Sequence, residues 1–126
     1  MENLRQIRNN LLSLHKLLMD IERENYEAEF GQVSNLELLN LLFEHRNFRW
    51  LRELSGLVAE IDELFAVKTG FDRKVVAELF ERVRALFDET DQYEDFKARF
   101  RANLDTERRV AERQAVIIRL LENEKA

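Results

Sequence analysis

Phe48-Arg-Trp-Leu-Arg-Glu-Leu-Ser-Gly-Leu-Val-Ala-Glu-Ile-Asp-Glu-Leu-Phe65 is the most apolar long periodic segment of the chain and holds its single tryptophan. On a helical wheel Trp50, Leu51, Leu54, Leu57, Val58, Ile61, Leu64 and Phe65 fall in one broad arc, so the segment reads as a central helix touching more than one neighbour. Ser55, Gly56 and Ala59 lie roughly opposite. A glycine within a helix costs about 1 kcal/mol relative to alanine, which predicts that another helix crosses closely on that side.

Upstream, the spacing predicts a first helix from Leu4 to Phe30, with Asn3 as its N-cap and Gly31 free to take the left-handed conformation that ends it. Leu4, Ile7, Leu11, Leu14, Leu18 and Ile21 keep a heptad rhythm, the a/d seam of a bundle. Ser34 and Glu37 have capping-box spacing, and Val33 is placed to staple onto Leu38. The helix that follows carries Leu36, Leu38, Leu39, Leu41, Leu42 and Phe43 on nearly every side, so it must be buried or form an interface. Asn47 is the expected cap of the central helix.

Downstream, Ala66 to Phe71 reads as a loop, with Asp72 as N-cap and Phe71 set to staple onto Val76. Val76, Leu79, Val83 and Leu86 then form a seam that Phe80 and Phe87 broaden. The pattern lapses from Asp88 to Gln92, and a short helix carrying Tyr93, Phe96, Phe100 and Leu104 follows. A last helix, capped by Asp105, is lined by Val110, Ala111, Ile117, Ile118 and Leu121; one unbroken helix from Asp91 to Glu122 fits nearly as well.

These elements, with no proline, three glycines, 36% charged residues and no alternating run, define an all-α chain. We expect a compact antiparallel bundle of five or six helices in a single domain spanning residues 1–126. The absence of cysteine excludes disulfides, thiolate metal sites and a cysteine nucleophile. No stretch approaches the roughly 20 apolar residues of a membrane span, and Met-Glu-Asn-Leu-Arg lacks a signal-peptide core. A net charge of -5 opposes general affinity for nucleic acid or anionic lipid. The expected setting is the cytoplasm, without membrane or nucleic-acid partners.

Of the possible sites, the first helix offers a polar column, Arg8, His15, Glu22 and Glu29 at seven-residue spacing, with Tyr26 a turn beyond Glu22. A histidine beside a carboxylate is able to hold a metal or move a proton, but the same positions serve a bundle helix by pairing with its neighbour, and the structural reading is preferred. Neither His15 nor His45 has a glutamate three residues before it, so the di-metal bundle pattern fails. No cofactor is expected. Ser13-Leu-His-Lys16 and Lys68-Thr69-Gly70 match fragments of penicillin-recognising enzymes without the strand and third motif those enzymes need. The basic C-terminal third, with Lys97, Arg99, Arg101, Arg108, Arg109, Arg113 and Arg119, reads as a solvated face paired locally through Asp95–Arg99, Asp105–Arg109 and Arg108–Glu112. Trp50 with Arg49 and Arg52 has the composition of an interface anchor, while the place of Trp50 in the apolar arc favours a core tryptophan and leaves Arg52 to point to a partner or ligand; both readings stay open.

Leu14-His15-Lys16-Leu17-Leu18, Glu22-Arg23-x-x-Tyr26-Glu27 and Phe48-x-Trp50-Leu51-Arg52-x-Leu54-Ser55 through Ile61-Asp62-Glu63 resemble a group of small uncharacterised bacterial all-helical proteins. The resemblance covers roughly the first half of the chain. It implies a bacterial cytoplasmic protein and carries no activity, cofactor or site residue. The expected function is therefore protein–protein contact, including self-association as a homodimer, through Leu38, Leu41, Leu42 and Phe43 of the second helix or through the exposed part of the first. The alternative is a ligand-binding bundle or metal-dependent enzyme using His15, Glu22 and Tyr26 with Arg52 and Asp62; the balance of signals is against an enzyme.

Overall fold

The heptad seam of the first helix becomes the spine of the molecule. The computed structural model describes residues 2–67, 70 and 72–124. Over these the chain is all-helical, with seven helices: α1 (Glu2–Phe30), α2 (Asn35–Glu44), α3 (Arg46–Arg49), α4 (Arg52–Ala66), α5 (Arg73–Ala85), α6 (Glu94–Thr106) and α7 (Arg108–Glu124). Leu4, Ile7, Leu11, Leu14, Leu18 and Ile21 are all buried, and α1 packs along α7 on one flank and α4 on the other. One cluster of buried side chains draws on all seven helices. In it Phe96 stacks on Phe100 at 5.3 Å between ring centroids, and Trp50 approaches Phe96 at 5.6 Å.

Polar contacts fix how the long helices meet. The Asn3 side-chain amide donates to the Leu120 carbonyl at 2.8 Å and to Glu124 Oε2 at 3.0 Å, tying the first turn of α1 to the last turns of α7. Asn3 is thus a crosslink inside the helix rather than its N-cap. Arg113 donates to Asn10 Oδ1 at 2.8 Å farther along the same contact. At the other end Gly31 takes φ +92°, with its N–H bonded to the Glu27 carbonyl, as an end in the left-handed region requires.

The expected central helix is interrupted. The Trp50 indole N–H donates to the Asn47 carbonyl at 3.1 Å, and the Leu51 N–H bonds instead to the Phe48 carbonyl, tightening the chain from an α to a 3₁₀-type turn at Trp50–Leu51. The helix count rises from the expected five or six to seven. His45, not Asn47, provides the cap, its Nδ1 accepting the Asn47 N–H at 3.1 Å. Ser55, Gly56 and Ala59 are exposed, and a Cβ built on Gly56 meets nothing within 4 Å. The close helix crossing inferred from that glycine is absent from the described residues.

Other signals locate their elements directly. Ser34 Oγ accepts the Glu37 N–H at 3.1 Å, and Asp72 accepts the Lys74 N–H at 2.9 Å. Phe71 lies outside the described residues. Tyr93 precedes α6 at φ +59°, and α6 has no side-chain cap hydrogen bond. The break before α7 falls at Glu107, whose extended backbone (φ -123°, ψ 101°) replaces the cap expected at Asp105 and excludes a single unbroken helix. Val110, Ile117 and Leu121 are buried, Ile118 is half-buried and Ala111 faces solvent.

Leu14 has no exposed surface, whereas Leu12, two residues away, is exposed. Leu14→Ala is expected to lower the unfolding free energy by about 2–5 kcal/mol and Leu12→Ala by less than about 1 kcal/mol, measured by urea titration. Equal effects would contradict the seam as the spine of the core.

Candidate functional site

The polar column of α1 disperses along the helix rather than converging. Near its start, Arg8 makes a two-point pair with Asp62 of α4, Nε to Oδ1 at 2.7 Å and Nη2 to Oδ2 at 3.0 Å. This pair raises the Arg8 pKa and holds the Asp62 carboxyl below its ordinary value through the hydrogen bond. Asp62 is therefore committed to a helix–helix contact. Glu22, two turns beyond His15, is buried with Arg99 of α6 at 3.8 Å. Burial pushes its carboxyl above the ordinary value; Arg99 and the nearby Trp50 indole N–H, whose own acceptor is the Asn47 carbonyl, act against that shift without cancelling it.

Tyr26 belongs to an aromatic corner. Its ring meets Phe30 at 4.7 Å, His45 edge-on at 5.3 Å and Phe48 at 6.1 Å. His45 serves there as a cap and ring contact. Of the five residues proposed for a polar cluster, only His15 and Arg52 share a site, while Glu22, Tyr26 and Asp62 lie elsewhere. No group of three or more His, Cys, Asp or Glu among the described residues is arranged to hold a metal ion.

His15 and Arg52 line a recess of about 290 Å³ between α1, α2 and α4, walled by Leu39, Leu42, Phe43 and Leu51. Among the described residues no hydrogen bond engages the His15 ring and no ion pair engages the Arg52 side chain. Burial lowers the His15 pKa from 6.5. The imidazole is accordingly neutral at pH 7.

Above this recess α2 divides into two faces. Leu38 is buried in its own chain, with Leu41 and Leu42 half-buried beside it, so Leu38 serves the core. On the outer side Leu36 is 71% exposed and Phe43 65%, with Leu39 between them. Leu36, Leu39 and Phe43 follow i, i+3, i+7 spacing, the ridge of a helix prepared to pack against another. Phe30, at the end of α1, is a further exposed aromatic. Sequence reasoning selected Phe43 but omitted Leu36 and Leu39. Their spacing was visible, yet which of two apolar ridges would face inward depended on how α3 folds back.

Comparison with protein-family models, curated proteins and solved structures returned no match. The functional reading therefore rests on geometry. The basic C-terminal third supplies little of it. Arg108 pairs with Glu112 at the expected spacing, but Arg99 reaches Glu22 and Arg109 reaches Glu107 instead of Asp95 and Asp105. Lys97 is only 4% exposed; its Nζ donates to Asp88 Oδ1 at 3.0 Å and to the Thr90 carbonyl at 2.6 Å, closing the loop between α5 and α6. It is a structural ion and no part of a solvated cationic face. The Lys68-Thr69-Gly70 match lies mostly outside the described residues, and Ser13 and Lys16 are exposed on α1.

Two ionisable groups of α1, half-buried His15 and buried Glu22, give stability opposite pH slopes. Folded His15 binds a proton less readily than unfolded His15, so the unfolded chain takes up more protons as the pH falls through about 6.5 and the fold loses stability there. Folded Glu22 binds a proton more readily than unfolded Glu22, so ionising it disfavours the fold as the pH rises above about 4.5. Thermal melts from pH 4 to 8 are expected to show His15→Gln removing the first dependence and Glu22→Gln raising the melting temperature at pH 7. An unchanged slope in His15→Gln would contradict the burial of that imidazole.

Proposed function

We propose that the protein acts through protein–protein contact, self-associating by antiparallel pairing of the exposed ridge of α2 with the same ridge of a second copy. The observation that carries this reading is the outward display of Leu36, Leu39 and Phe43 on a helix whose opposite side already fills the core. With Phe30, these side chains offer roughly 400–500 Å² of apolar surface, within the range of a functional patch. Surrounding polar residues would need to complete the roughly 800 Å² that each partner contributes to a standard interface.

Charge favours the antiparallel arrangement. Antiparallel two-fold pairing opposes the two helix dipoles. On this reading the long helices form a compact antiparallel bundle, a rigid support that presents α2.

Light scattering coupled to size exclusion, over a range of protein concentrations, is expected to give the mass of a dimer. Leu36→Glu and Phe43→Glu should shift it to monomer without lowering helix content. A monomer at every concentration would overturn self-association.

A further inference from the structure

The recess beside α2 has a chemistry that a second copy's apolar ridge does not fully use. Leu39, Leu42, Phe43 and Leu51 make its surface almost wholly apolar, and half-buried His15 and exposed Arg52 border it. The remaining polar side chain, Ser55, is already engaged, its hydroxyl donating to the Arg52 carbonyl at 3.2 Å. Among the described residues the guanidinium of Arg52 has no carboxylate partner, and the His15 ring has no hydrogen bond.

We propose that this recess binds an apolar carboxylate, with Arg52 and His15 holding the carboxyl group and the leucine and phenylalanine walls covering an aliphatic or aromatic body. The choice follows from what the lining accepts. A planar guanidinium matches a carboxylate through two parallel hydrogen bonds and repels a cationic head. His15 supplies an N–H donor, and a bound anion favours its protonated form. A small, fully polar anion would leave the hydrocarbon walls wet, whereas a neutral hydrocarbon would make no use of His15 or Arg52. The volume of about 290 Å³ is at the lower edge of small-molecule pockets, about 300–1,000 Å³, and suits a body of medium length.

The inference does not rest on self-association. Leu39 and Phe43 belong to both the ridge and the recess, but Leu36 lies outside the recess. Binding is therefore measured in parallel on the wild-type protein and on Leu36→Glu, so that occlusion by a second copy is separated from loss of the site. Octanoate is titrated against octylamine and octanol by heteronuclear NMR, following the leucine methyl groups and the His15 ring.

Saturable octanoate binding is expected in Leu36→Glu, at least about tenfold tighter than either analogue. The His15 titration should move to higher pH when octanoate is bound. Arg52→Gln should weaken octanoate by about tenfold while leaving octanol unchanged. His15→Gln should weaken octanoate without lowering helix content. No saturation by octanoate in Leu36→Glu overturns the proposal. So does octanol or octylamine binding as tightly as octanoate, or undiminished octanoate binding in Arg52→Gln.

Discussion

Burial of the apolar seam of α1 is the constraint on which the other helices depend. Its six leucine and isoleucine side chains, Leu4 to Ile21, need cover on two flanks because a helix displays its apolar stripe across an arc wider than one neighbour fills. The cover comes from α4 and α7. Hydrophobic burial is non-directional, so it draws these helices in without fixing their alignment. Alignment comes from the polar contacts at the edges of the seam: Arg8 with Asp62 on the α4 side, and Asn3 and Asn10 on the α7 side. The Arg8–Asp62 pair is partly exposed and contributes little net stability, so its main consequence is to fix register.

A second layer of constraint acts where the chain turns. Between α5 and α6 the apolar pattern lapses, and a buried ammonium organises what hydrophobic packing does not. Lys97 gathers Asp88 and Thr90, while Asp88 also accepts the Thr90 N–H at 3.0 Å and its hydroxyl at 2.6 Å. These bonds hold the Asp88 carboxyl below its ordinary value, the Thr90 hydroxyl contributing most. The turn is thus built around one buried charge and the acceptors of an irregular loop.

That division explains what the sequence disclosed. The seam of α1, its end at Gly31, and the caps at Ser34 and Asp72 depend on neighbours within a few residues or on strict periodicity, and all are legible. The break at Trp50 depends on an indole taking over a main-chain carbonyl, and the position of Glu107 depends on how α7 docks; neither has a local signature. Lys97 looked like one more surface cation because its partners lie seven and nine residues upstream in an irregular loop. The same limit affects the site. His15 and Arg52 could be nominated by type, but their separation from Glu22, Tyr26 and Asp62 follows from the direction in which α4 crosses α1. The small-residue side of α4 shows the opposite error: a rule about glycine implied a contact, and that side is open.

Folding alone accounts for only one side of α2. Leu38, Leu41 and Leu42 attach the helix to the core, and a short amphipathic helix needs no second apolar ridge. Polar residues at Leu36, Leu39 and Phe43 would leave that attachment intact and remove the association hazard of a contiguous apolar patch. The Ser34 cap and the Arg23 bond to the Val33 carbonyl at 2.6 Å fix the start of α2 without using those side chains. The exposed ridge is therefore in excess of what holds the helix in place, and this separates it from Arg8 and Glu22 of α1, whose partners Asp62 and Arg99 are supplied by packing.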